Sequence, residues 1–73
     1  MTNLNKQFLV FLGKKIRIER EKLGLSQEQL GESAKFHRTY IGMIERGEKN
    51  ITISNLRKLA QALKVQVRDL IDF

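Results

Sequence analysis

Seventy-three residues with five glycines, no proline and no cysteine leave room for one domain over 1–73 with a modest core, and they exclude disulfides and thiolate metal sites. Fourteen Lys and Arg against eight Asp and Glu give a formal charge of +6, a field suited either to a polyanion or simply to a solvated surface. The longest apolar run, Phe8 to Leu12, is too short to span a bilayer and lacks the basic start and small-residue cleavage site of a secretion signal. No membrane partner is therefore expected, and the absence of cysteine fits a reducing cytoplasm.

The pattern in chain order predicts an all-α protein. A first helix begins near Asn3 or Asn5, either of which could cap it, and runs to Leu23. Phe8, Leu12 and Ile16 recur every four residues with Leu9 beside them, which makes one apolar stripe. Phe11 and Ile18 do not fit that stripe, and they either meet a partner or are exposed. Gly24 suits the residue after a helix end. Ser26 then caps a short second helix, Gln27 to Ala34, with Gln29 placed to complete a capping box and with Leu30 and Ala34 on one face. A tight turn at Lys35-Phe36 leads to His37, placed to cap a third helix from Arg38 to Arg46. Tyr40, Ile41 and Ile44 form its inner face, and Gly47 ends it.

After the polar stretch Glu48-Lys49-Asn50, Ile51 and Ile53 are expected to anchor the loop to the core, and Ser54 to cap a fourth helix. Leu56, Leu59, Ala60 and Leu63 in that helix follow the i, i+3, i+4, i+7 template, which leaves Asn55, Arg57, Lys58 and Gln61 to face water. Lys64-Val65-Gln66 connects to a last helix, Val67 to Phe73, for which Gln66 is a weak cap.

The second and third helices carry the functional signal. They are short, capped, and joined by a turn too tight for an antiparallel pair, so they cross steeply and one can project into a groove. The outer side of the third helix displays Arg38, Thr39, Gly42, Met43 and Arg46. A B-DNA major groove admits one α-helix; Arg donates two bonds to guanine O6 and N7, and a Thr or Met methyl suits thymine.

The stretch from Ile16 to Leu70 resembles the Xre/Cro-type helix-turn-helix family. Its carriers are Ser26-Gln27-Glu28-Gln29-Leu30-Gly31, His37-Arg38-Thr39-Tyr40-Ile41, Ile44-Glu45-Arg46-Gly47, Asn50-Ile51-Thr52-Ile53 and Leu59-Ala60 followed by Leu63. The runs at 37–41 and 44–47 are similar to those of restriction–modification controller proteins within that family. The resemblance implies a five-helix Cro/repressor-like helix-turn-helix domain that binds double-stranded DNA and regulates transcription, as activator or repressor. It assigns Gln27 to a phosphate, Arg38, Thr39 and Met43 to bases, and Tyr40 and Arg46 to backbone or flanking bases, and Asn50 is taken as a further DNA-binding residue. Arg20 and Glu45 match a family ion pair tying the first helix to the recognition helix. Two departures are Gly31, where the family usually has Ala, and Lys35, where it usually has Gly. Gly31 lowers helix propensity and Lys35 would take a left-handed backbone, so both are expected to lower stability.

Blander readings stand beside these. Met43 could be apolar filler, Tyr40 mainly core, Gln27 only a helix start, and the lone His37 only a cap. No glycine-rich phosphate loop or nucleophile–base pair points to an enzyme, and no cofactor, metal or small-molecule ligand is expected. The rival class is a protein-interaction module, such as an antitoxin or anti-repressor partner. One helix reads too few base pairs to address a genome, so a homodimer on a two-fold-symmetric operator is expected, with Val67, Leu70, Ile71 and Phe73 as its interface.

Overall fold

The computed structural model describes the backbone of residues 3–73 and the side chains from residue 6 onward. Among the described residues there are five helices and no strand: α1 (Asn3–Lys22), α2 (Gln27–Ala34), α3 (Arg38–Glu45), α4 (Ile53–Leu63) and α5 (Val67–Leu70). The cap expected at Asn3 or Asn5 falls on side chains outside the described residues.

Local chemistry sets most of these boundaries. At α2, Ser26 Oγ accepts from the Gln29 amide (3.0 Å) and Gln29 Oε1 accepts from the Ser26 amide (2.8 Å), so two otherwise orphaned donors are satisfied reciprocally. At α3, His37 Nδ1 accepts from the Thr39 amide (3.0 Å). Lys35 closes α2 in the left-handed conformation at φ 65°, ψ 42°, as expected of its position. At α5, Gln66 contributes no side-chain cap; instead Asp69 Oδ2 accepts from the Gln66 amide (2.9 Å).

Inward faces meet in one core built from Leu12 and Ile16 of α1, Leu30 of α2, Ile41 and Ile44 of α3, Leu56, Leu59 and Leu63 of α4, and Leu70 of α5. Two close backbone approaches complete it. A Cβ on Gly13 would run into the Ile44 carbonyl and stand 2.6 Å from that of Glu45, so glycine is what lets α1 lie against the end of α3. A Cβ on Gly31 would likewise strike the Phe36 carbonyl. The expected cost of Gly31 is therefore one-sided: alanine would regain propensity only by pushing the turn away.

Several expectations are corrected. Phe8 stays 40% exposed because its end of α1 projects past the core. The cap of α4 is Thr52, whose Oγ1 accepts from the Asn55 amide (3.1 Å), and not Ser54. That shift makes Ile53 the first helical residue and leaves it 68% exposed; only half-buried Ile51 packs on the core. Asn55 is half-buried, with its Nδ2 donating to the Tyr40 hydroxyl (3.0 Å). The third helix stops at Glu45, with Arg46 as its cap residue. The last helix is only four residues long. The chain leaves it at Ile71, and the Phe73 ring comes to rest beside those of Phe8 and Phe11, at centroid distances of 5.3 and 5.4 Å. Leu70, assigned above to a subunit interface, is fully buried within the one chain; a four-residue helix needs that anchor to stay docked.

Candidate nucleic-acid interface

The orientation of α3 is fixed from its inner side. Ile41 and Ile44 are buried, and the Phe36 and Tyr40 rings pack at 4.9 Å. Its last residue, Glu45, enters a polar clamp: Glu45 Oε2 accepts from Arg20 Nε (2.6 Å), while Oε1 accepts from Arg20 Nη2 (3.1 Å) and Gln27 Nε2 (3.0 Å). Arg20 Nη1 donates to the Leu25 carbonyl (2.7 Å). The hydrogen bond from Arg20 to Glu45, above all, raises the guanidinium's pKa against the opposing cost of burial. This two-pronged arrangement joins α1, α3 and the start of α2 at one carboxylate, and it is the ion pair that the sequence suggested. Such a pair contributes modest net stability but is expensive to break, because either partner alone is a stranded charge.

With its inner face locked, α3 presents its N-terminal half outward. Arg38 and Thr39 are exposed, Tyr40 and Met43 half-buried, and Arg46 exposed. Gly42, expected on the outer face, is instead covered. A Cβ there would stand 3.2 Å from Arg46 Nη1 and 3.5 Å from Gln27 Oε1, so those two side chains meet above it. Arg46 Nε also donates to Glu48 Oε2 (3.0 Å), which raises its pKa. The Tyr40 hydroxyl accepts from Asn55 and keeps its own O–H free to donate. Asn50 is exposed and borders an apolar groove with Phe8, Ile53 and Ile71. The structure thus brings Gln27 and Arg46 together and sets Arg38 and Thr39 free at the helix start. The tie from Gln27 to Glu45 was not foreseen, and neither was the covering of Gly42; a glycine in mid-helix beside two long polar side chains was the available signal.

Two short helices at a steep turn, the second held by its inner face and bare on its outer one, define a helix-turn-helix protein. Comparison with known proteins agrees: a helix-turn-helix family model matches residues 16–70, and the chain belongs to that family of DNA-binding transcription regulators. It is 45% identical over 65 residues to control protein C.BamHI of Bacillus amyloliquefaciens, covering 88% of this chain and 80% of that protein. It is 48% identical over 60 residues to control protein C.SmaI of Serratia marcescens, covering 82% and 71%. Among solved structures, the restriction-modification controller protein C.AhdI from Aeromonas hydrophila superposes with a TM-score of 0.86 at 40% identity, covering 89% of this chain and 94% of that one. Among the described residues, no helix is long and apolar enough to cross a membrane.

Proposed function

We propose that the 73 residues act as one unit, a restriction–modification controller that binds a two-fold-symmetric operator as a homodimer. The observation that carries this reading is the exposed Arg38-Thr39 pair at the start of a helix whose opposite face is locked into the core. A rigid helix with free donors at its leading end suits base-edge readout. The α2 N-terminus, with Gln27 held by Glu45, suits a phosphate, and Arg46 and the free O–H of Tyr40 suit flanking backbone. Half-buried Met43 and the loop residue Asn50 are weaker members of the set.

The dimer surface moves from the core side of α5 to what the chain leaves bare. Phe8, Ile53, Ile71 and Phe73 are 40%, 68%, 39% and 57% exposed, and Phe8, Ile53 and Ile71 line a groove of about 270 Å³. Apolar residues gathered in this way fit contact with a symmetry mate, whereas half-buried Val67 packs on its own core. Selection from a random duplex pool tests the reading. Enriched sites should carry inverted half-sites about 10 base pairs apart, centre to centre; a single asymmetric half-site would overturn the homodimer. On the selected duplex, Arg38→Ala should lower affinity by about 1–3 kcal/mol and relax preference at one base pair, and an equal loss on every sequence would make Arg38 a backbone contact.

A further inference from the structure

Among the described residues, two other than glycine have a positive φ, and both are lysines: Lys35 at 65° and Lys64 at 62°. They hold equivalent places, closing α2 and α4 respectively, where glycine is the usual residue because it takes the left-handed region without steric cost. Both side chains are exposed, and no salt bridge engages either one among the described residues. Serving the negative end of each helix does not explain the choice. A lysine in the preceding turn would do so equally well without the backbone strain. Strain kept at two equivalent points and spent on the same exposed cation points to a use for the cations.

The surroundings say what that use is. The ends of α2 and α4 meet at a depression of about 440 Å³, lined by Ser33, Ala34, Lys35, Lys58, Gln61 and Ala62. It continues across Lys58 and Gln61 into a second hollow of about 320 Å³ that adds Arg57, and Lys64 lies one turn beyond Gln61. The Lys58 ammonium is held 5.8 Å above the Phe36 ring centroid, within reach of a cation–π attraction. Neither hollow is lined by an acidic residue, while Glu28 and Glu32 of α2 lie with Arg38 around a different depression. The result is a concave basic face with small side chains on its floor. It sits at the opposite end of α2 from Gln27, about 12 Å away along an eight-residue helix.

We infer that this α2–α4 face is a second binding surface, which takes a carboxylate-bearing segment of a protein partner. A hollow floored by Ala34 and Ala62 and flanked by Lys35 and Lys58 accepts a protruding acidic side chain. A stiff duplex lying along α3 offers its phosphates on a convex surface instead. The inference stands whether or not α3 reads the operator proposed above.

The test uses the full chain and a fluorescein-labelled peptide of alternating glutamate and alanine, followed by anisotropy beside the selected duplex. Replacing both left-handed lysines, Lys35→Gly with Lys64→Gly, removes charge while relieving the backbone. The double variant should therefore melt at or above the wild-type temperature. It should bind the peptide roughly tenfold more weakly, the scale of two exposed ion pairs, with its duplex affinity unchanged. Arg38→Ala should do the reverse, keeping the peptide and losing the duplex. Should the glycine pair unfold, asparagine at both positions, which tolerates the left-handed region, gives the same comparison. Wild type that ignores the peptide overturns the inference, and so does peptide binding that survives the double change. Duplex affinity falling in parallel with peptide affinity would make the face a DNA-backbone contact, which also overturns it.

Discussion

Helix α1 is fastened to the rest of the molecule in two different ways along its length. Its middle and C-terminal part are held by directional contacts: Gly13 against the α3 carbonyls, then Arg20 on Glu45 at 2.6 and 3.1 Å. Its N-terminal part is held by apolar contact, with Phe8 and Phe11 against Phe73, Val10 against Gly47 and Leu9 in the groove beside Ile51, and all three rings keep large exposed areas. The first seam is complete within one chain, since every buried polar side-chain atom among the described residues has a partner. The second is incomplete, because the same rings would gain by being covered. The difference separates two tasks. The polar seam fixes the recognition helix relative to its own core. In the homodimer proposed above, the apolar seam would be the surface that sets the distance between the two recognition helices.

The boundary between the seams can be broken at α5. Leu70 belongs to the finished interior and Phe73 to the unfinished surface, so the same substitution should have opposite consequences. Leu70→Asp buries an unpaired carboxylate at a cost of more than about 4 kcal/mol, comparable to the whole stability expected of so small a chain. It should abolish the cooperative melt seen by circular dichroism. Phe73→Asp should retain full helicity and change stability by no more than about 1 kcal/mol, while sedimentation shows a shift toward monomer. A folded Leu70→Asp protein would show that α5 is dispensable to the core and that Leu70 and Phe73 do not belong to different surfaces.

The polar seam is tested next, with a smaller effect. Glu45→Gln keeps the shape of the side chain but strands the Arg20 guanidinium, whose side chain is only 11% exposed. The expected destabilisation is about 3–5 kcal/mol. It should also weaken duplex binding at temperatures where the variant is still folded, because the glutamine NH2 replaces one of the two carboxylate oxygens that tether α3 to Arg20. A melting temperature equal to that of the wild type would mean that Gly13 and the apolar core hold α1 without help from the clamp.

How much of this was legible in the sequence follows from the range of each interaction. The Ser26–Gln29 box and the His37 cap act within three residues, and both stand where the pattern put them. The apolar stripe of α4 was likewise plain, but its cap was misplaced by two residues. Thr52 and Ser54 are equally able hydroxyls, and only the exposure of Ile53 separates them. The burial of Leu70 and the outward turn at Ile71 depend on packing against α1, more than fifty residues earlier in the chain, which no local pattern reports. The role of Gly13 and the constraint on Gly31 are backbone approaches between elements, invisible as any periodicity. At the interface, the family pattern supplied Arg20 with Glu45 and the exposed Arg38-Thr39. It did not supply the Gln27–Glu45 bond, because a phosphate-facing glutamine and a clamped one look the same as letters.

The smallest effect concerns charge pairs and separates one whose lysines reach solvent from the clamp buried on both sides. Glu19 lies between two lysines of its own helix, with Lys15 Nζ at 3.2 Å and Lys22 Nζ at 3.3 Å. The Lys15 contact, with help from Lys22 and against a small burial cost, holds its carboxyl below the usual value of 4.5. A folded pKa below the unfolded one means that the pair stabilises the protein above the unfolded value and stops doing so as the pH falls through the folded one. Because Lys22 is well solvated and Lys15 a third exposed, the contribution is only about a few tenths of a kcal/mol. Arg20 behaves differently, since its hydrogen bond to Glu45 raises its pKa above the ordinary guanidinium value and its charge persists across the whole accessible range. Melting curves for Glu19→Gln beside the wild type should therefore differ slightly at pH 7, converge as the pH drops through the lowered pKa of the carboxyl, and converge again at about 1 M salt, where screening acts within a few ångströms. The Glu45→Gln gap should survive that salt, because the clamp is shielded from the ions. If salt closed both gaps equally, the two kinds of pair would be screened alike, and the seam assigned to the buried clamp would have to be held by something else.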